Sequence, residues 1–178
     1  MRKNDFTESL KFNTSSVVMM GMLITIEIVL SRFASISAWN IKIGFGFVPV
    51  VVAAMLMGPV KGGIVGAVAD FLGAVLFPIG AYFPGFTLTA FLTGTVYGMF
   101  LYKKQTVLRI WIAVGINQLI LSLLLNTLWI SILYGSPYGP LLVTRIVQCA
   151  INTPVQLFTI LLISKAIVNK LAIQSFRA

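Results

Sequence analysis

Long apolar stretches, broken by short polar or glycine- and proline-rich segments, set the pattern of this chain. A polar segment at 1–13 precedes a first apolar run at about 14–33. Two shorter runs follow at about 47–59 and 61–77, with Gly58-Pro59 and Gly62-Gly63 predicting a tight turn between them. A fourth run covers about 87–102, and Lys103, Lys104 and Gln105 separate it from a fifth at about 107–134. The sixth, at about 141–168, exceeds the hydrocarbon thickness, which predicts tilt or protrusion, and Pro154 predicts a kink. The second run is too short to cross a bilayer without part of the loop before it. The segments 34–46, 78–86 and 135–140 read as loops. The expected fold is therefore all-α, an integral membrane bundle of six transmembrane helices in a single domain over 1–178.

Composition supports that expectation. Apolar residues make up 58% of the chain and charged residues 10%, against about 25% charged in a soluble domain. Lipid can cover apolar side chains as a protein core does, so the chain needs little polar surface. The first run is long enough to span and no small-residue cleavage site follows it, so it does not read as a secretory signal.

The net charge of +9 would point to nucleic acid in a soluble protein. Here the basic residues lie between apolar runs and form no continuous face. Ten of the thirteen fall on the side of the termini, and only Arg32, Lys42 and Arg145 on the other. Basic residues favour the cytoplasmic side, so both termini are expected there and the three loops outside. Gly58, Gly62 and Gly66, and again Gly94 and Gly98, recur at four-residue intervals, which suits close helix packing in lipid.

Enzyme chemistry finds little support. The chain has no His, so imidazole-based metal sites and the usual general base are missing. Cys149 has no activating partner in the sequence, and no phosphate-binding G-x-x-x-x-G-K-[ST] loop is present. Glu27 and Asp70 are the carboxylates within spans, and nothing in the sequence brings them together. Neither a cofactor nor a metal is expected.

Binding is the better account of the polar residues. Cations inside membrane segments are costly and face a protein interior or a watery cavity. Arg145, Gln148 and Asn152 share one helical face, extended by Gln156. Gln118, Ser122 and Asn126 form a second stripe, with Trp129 beyond. Two amide-rich stripes that end in a cation read as a ligand cavity. Other readings stay open: Arg32 and Arg145 snorkelling to headgroups, the amides bonding between helices, and Trp39 and Tyr82 serving as interfacial anchors. Asp70 can pair with a buried cation or accept hydrogen bonds from a ligand.

Several segments carry a family likeness: Glu27-Ile-Val-Leu-Ser-Arg-Phe33, Lys42-Ile-Gly-Phe-Gly-Phe-Val-Pro49, Met57-Gly-Pro-Val-Lys-Gly-Gly63 and Ala69-Asp-Phe-Leu-Gly73. The most specific is Phe77-Pro-Ile-Gly-Ala-Tyr-Phe-Pro-Gly-Phe-Thr-Leu-Thr89. Through them the chain resembles the folate-specific S components of energy-coupling factor (ECF) vitamin importers. The resemblance implies a protein of the bacterial cell membrane that captures folate, or a related pterin-glutamate, from outside. It implies no ATPase in this chain; a transmembrane coupling protein and two ATPase subunits supply the drive, and the outward loops act as gates. Family members carry Ala-x-x-x-Ala on the first helix, facing the coupling protein. Gly21-Met-Leu-Ile-Thr25 keeps small residues there but not the alanines, so Gly21 and Thr25 are the expected interface. For folate, the glutamate carboxylates suit Arg32, Lys42 or Arg145. The flat rings suit Phe47, Phe86 and Trp129. The pterin edge suits Asp70, Asn126 or Gln148, and Thr87, in the most specific segment, joins these candidates. An S component for another vitamin, or a structural membrane protein without a ligand, would account for the same apolar pattern.

Overall fold

The computed structural model describes residues 12–38 and 41–175, with side chains described outside 36–43 and 167–175. Helix α1 (Thr14–Arg32) starts at Asn13, whose side chain accepts a hydrogen bond from the Ser16 backbone N–H at 2.9 Å. Asparagine is a favoured cap because its short carbonyl reaches an otherwise unpartnered amide of the first turn. The segment read as a plain loop at 34–46 contains a β-hairpin. Strands β1 (Ser35–Ala38) and β2 (Ile41–Gly44) pair antiparallel, with Ser35 opposite Gly44 and Ser37 opposite Lys42.

Helices α2 (Phe47–Met57) and α3 (Pro59–Leu76) meet at Gly58. Gly58 has φ 91°, a conformation that glycine adopts without steric cost, and Pro59 opens the next helix with its fixed φ. Helix α4 (Pro84–Leu101) likewise opens on a proline. It starts inside the segment expected as loop 78–86, because Pro84 is preorganised for the first helical position. Helix α5 (Val107–Tyr134) is continuous but changes winding: Ile116–Leu125 is π-helical between α-helical flanks. It stops at Gly135, which takes the left-handed conformation at φ 61°. Helix α6 (Tyr138–Ser175) contains Pro154, which removes one backbone donor from its interior. Six helices result among the described residues, as the apolar pattern predicts.

Among the described residues, four helices are long and apolar enough to cross a bilayer, namely Thr14–Arg32, Pro59–Leu76, Val107–Tyr134 and Tyr138–Ala166. Eleven-residue α2 reaches about 16 Å at 1.5 Å per residue, roughly half of a 30 Å hydrocarbon layer. The hairpin precedes it at that end of the bundle.

Glycines set the closest approach of α3 and α4. A Cβ at Gly94 would collide with the Gly62 carbonyl, and one at Gly98 with Pro59. A Cβ at Gly66 would lie 2.6 Å from the Ala90 carbonyl oxygen, and one at Gly62 2.8 Å from Ala54 of α2. The four-residue glycine spacing is therefore a packing device. Away from the hairpin, Val51, Ala54, Met55, Tyr97, Leu101, Ile110, Ala113, Val114, Leu157 and Ile160 fill the space between α2, α4, α5 and α6. Toward the hairpin the bundle is hollow.

Candidate functional site

The hollow is a cavity of about 470 Å³ at the hairpin end. Its walls come from the last turns of α1, the end of β2, the start of α2, the middle of α3, the loop before α4, and facing stretches of α4, α5 and α6. Charged groups enter from three helices. Glu27 and Arg32 of α1, Asp70 of α3 and Arg145 of α6 all line it. The two carboxylates that the sequence leaves unrelated thus share one chamber.

Both arginines line the cavity. Arg145 is 6% exposed and donates to the Ser122 carbonyl at 3.4 Å. Arg32 packs across α3, where its Nε would lie 2.9 Å from a Cβ at Gly73. A side chain at 73 would displace the guanidinium from this position. The Nε atom is buried and has no hydrogen-bond partner among the described residues. Water does not compete strongly for buried charge in such a site, so electrostatic attraction to an anion is stronger there than at a surface.

The amide wall comes from α5 and α6. Asn117, Gln118, Ser122, Asn126, Ile130 and Tyr134 line the cavity from α5, and Arg145, Gln148, Asn152 and Gln156 from α6. The α5 residues from Gln118 onward recur every fourth position. In an α-helix each such step overshoots a full turn by about 40°, so the stripe would wind off the face. The π segment has i→i+5 bonds and wider turns, so there the same step undershoots. Alternating the two windings keeps one face of α5 toward the cavity. Within it, Asn117 Oδ1, Gln118 Oε1 and Asn126 Oδ1 are buried without a hydrogen-bond partner among the described residues. Buried polar atoms are nearly always satisfied, and several unsatisfied in one cavity wall mark a place where a polar ligand would complete them. Gln156 differs: its Oε1 accepts from the Tyr97 hydroxyl at 2.9 Å, an α4–α6 bond within the cavity wall.

The aromatic side is built by α2, α4 and the loop between α3 and α4. Phe47, Phe83 and Phe86 line the cavity, with Phe83 and Phe86 ring centres 6.2 Å apart in an edge-on arrangement. Trp129 stands one layer behind. Its Nε1–H donates to Thr89 Oγ1 at 3.0 Å and its ring lies 5.6 Å from that of Phe83, both of which reach the cavity.

Among the residues singled out from sequence, Arg32, Phe47, Asp70, Phe86, Asn126, Arg145 and Gln148 line the cavity. Thr87 stands beside it, donating to Asp70 Oδ2 at 2.8 Å. The Lys42 side chain and Trp39 lie outside the described residues, while Gly44 of the same strand lines the cavity. Gly21 and Thr25 do not line it and lie on an exposed face of α1. Tyr82, read as an interfacial anchor, instead lines the cavity. Sequence reasoning also passed over Glu27, Ser31, Phe83, Thr89, Thr93 and Tyr97. Glu27 carried a usable signal, since a carboxylate inside an apolar span is rarely placed without a function. The threonines carried none. Among the described residues, no cluster of His, Cys, Asp or Glu suits a metal ion.

Comparison with known proteins agrees with this architecture. A family model described as "ECF transporter, substrate-specific component" matches residues 15–164. A folate transporter FolT of Clostridium novyi is 48% identical over 145 residues, covering 81% of this chain and 84% of the relative. A second folate transporter FolT, from Leuconostoc mesenteroides, is 29% identical over 153 residues, with 82% of each chain covered. The crystal structure of a FolT bound with folic acid superposes with a TM-score of 0.83 at 38% identity, over 86% of this chain and 95% of that one. The S component of a bacterial ECF transporter superposes with a TM-score of 0.66 at 26% identity, over 88% and 97% of the two chains. A multi-pass bundle with a polar cavity and a matching family signature along most of its length leads to one conclusion: the chain belongs to the family of substrate-specific components of ECF transporters, and is a transport protein rather than an enzyme.

Proposed function

We propose that this chain captures folate at the outer face of the membrane and delivers it to the cytoplasm together with an ATP-driven coupling module. The observation that carries the reading is the cavity at the hairpin end. It joins two arginines, an amide wall and aromatic rings in about 470 Å³, within the roughly 300–1,000 Å³ usual for small-ligand sites. The similarity to proteins described as folate transporters supports the choice of ligand.

Each part of folate has a chemical counterpart. The glutamate tail brings two carboxylates, and Arg32 and Arg145 can each hold one through paired N–H donors. Lys42, on the hairpin, adds a third positive charge from the same end of the bundle. Phe47 and Phe86 flank the flat rings, with Trp129 supporting them through Phe83. The pterin edge presents both donors and acceptors. Asp70 takes the donors, and Asn126 and Gln148 take either kind.

The excess of basic residues on the side of the termini supports a cytoplasmic location for both, with the hairpin end outward. The partners are a transmembrane coupling protein and two ATPase subunits. The α1 face around Gly21 and Thr25 is the docking surface. A Cβ at Gly21 would meet nothing within 4 Å, so that face is open to a close-packed partner helix. Gly21→Leu is expected to stop uptake in cells while leaving folate binding intact; normal uptake would remove this face from docking.

The direct test is equilibrium binding of labelled folate to the purified protein, with riboflavin and thiamin as controls. Saturable binding of folate alone is expected. Its absence, or equal binding of the controls, overturns the ligand assignment.

A further inference from the structure

The segment from Pro78 to Phe83 carries no regular secondary structure, yet Ile79, Gly80, Ala81, Tyr82 and Phe83 in succession line the cavity. It is a wall made of loop. Two side chains tie it down. Phe83 is wedged between Phe86 and Trp129, at centroid distances of 6.2 Å and 5.6 Å. Tyr82 meets the Phe71 ring edge-on at 5.7 Å and places its hydroxyl 3.2 Å from Thr87 Oγ1.

The direction of that last bond follows from proton counting. A threonine hydroxyl has one proton, and Thr87 spends it on Asp70 Oδ2 at 2.8 Å. Tyr82 must therefore donate to Thr87. The result is a relay from loop to α4 to α3: Tyr82 O–H to Thr87 Oγ–H to the Asp70 carboxylate. A chain ending on a carboxylate is charge-assisted, and each bond polarises the next.

We infer that Tyr82 and Thr87 are positioning residues that latch this loop over the cavity, with Asp70 as the latch's acceptor. The inference rests on the proposed binding reading only for the identity of the ligand. A carboxylate offers about four acceptor sites on two oxygens. Thr87 uses one on Oδ2, so Oδ1 remains for a ligand N–H. Asp70 thus ties a cavity contact and a closed loop to one group. Thr87 acts through Asp70 and is not itself a ligand contact.

The test reads loop opening without any ligand. Thr93 lines the cavity on α4, and Cys149 is the only native cysteine. In Thr93→Cys on a Cys149→Ser background, labelling by a membrane-impermeant thiol reagent reports how often the mouth opens. Thr87→Val, which deletes the bond to the carboxylate, is expected to speed labelling by roughly tenfold, the usual worth of a hydrogen bond to a charged group, and Tyr82→Phe by roughly fivefold, that of a neutral one. Thr87→Ser, which keeps the hydroxyl, should restore the slow rate. The Tyr82→Phe/Thr87→Val double variant should label no faster than Thr87→Val alone, because both break one relay. Unchanged labelling in both single variants overturns the latch, as do fully additive effects or failure of serine to rescue. With folate, the same variants should raise association and dissociation rates together. Absence of folate binding with the labelling pattern intact would sink the ligand assignment and leave the latch standing.

Discussion

The two ends of the bundle are made from the same helices under opposite rules. At the end away from the hairpin, α3 and α4 touch backbone to backbone at Gly62–Gly94 and Pro59–Gly98, and apolar side chains fill the remaining space. At the hairpin end, charged and amide groups enclose a hollow. Packing in lipid rests on shape, because lipid tails are as apolar as leucine and supply no hydrophobic drive between helices. The glycine seam provides that fit at one end, which leaves the other end free to hold buried polar atoms that a tightly packed core would not tolerate.

The comparison breaks most severely at the seam. Gly94→Leu drives a side chain into the Gly62 carbonyl and is expected to destabilise by upward of about 3 kcal/mol. Size-exclusion chromatography and thermal melting of the purified protein should show loss of the folded bundle. Retention of a native melt would mean that the seam does not hold the two helices together.

At the other end, Arg145→Ala should leave the fold intact and cost roughly 2–5 kcal/mol of folate binding, the range for truncating a buried charge contact. Titration calorimetry would measure it, and an unchanged Kd would remove Arg145 from the site. Arg32→Ala, at a half-buried position, should weaken binding by about tenfold, the equivalent of 1.4 kcal/mol.

Gln118→Leu sharpens the contrast through opposite signs. The buried Gln118 Oε1 has no partner among the described residues, so an apolar side chain of similar size should stabilise by about 1 kcal/mol while weakening folate binding. A lower melting temperature with unchanged affinity would show that Gln118 serves packing alone. The smallest effect is expected at the boundary between the two ends. Tyr97→Phe deletes the bond to Gln156 and should lower stability by about 1 kcal/mol with little change in affinity.

Local chemistry was legible in the sequence wherever one segment decides it. Apolar runs gave the helices, Gly58-Pro59 the break between α2 and α3, and the cations at 32 and 145 the polar end. Two boundaries had readable signals that went unused. Pro84 favours a helix start, and Ile41-Lys42-Ile43 alternates with the period of a strand. What depends on distant partners was hidden. Glu27 and Asp70 meet in one cavity only because α1 and α3 are neighbours, and Thr87 turns toward Asp70 across a helix interface. The winding of α5 was equally opaque, because Ile116–Leu125 has an ordinary apolar composition for either kind of turn.

That winding has a consequence for how such a protein can change over time. A π turn holds surplus residues within a helix whose two ends stay packed where they are. Losing a residue from Ile116–Leu125 would tighten the coil locally and exchange the amides presented to the ligand, without disturbing Val107–Gly115 or Asn126–Tyr134. Among relatives that carry different cargo, length differences buried inside this span, rather than in the exposed connections, are therefore where new selectivity would arise.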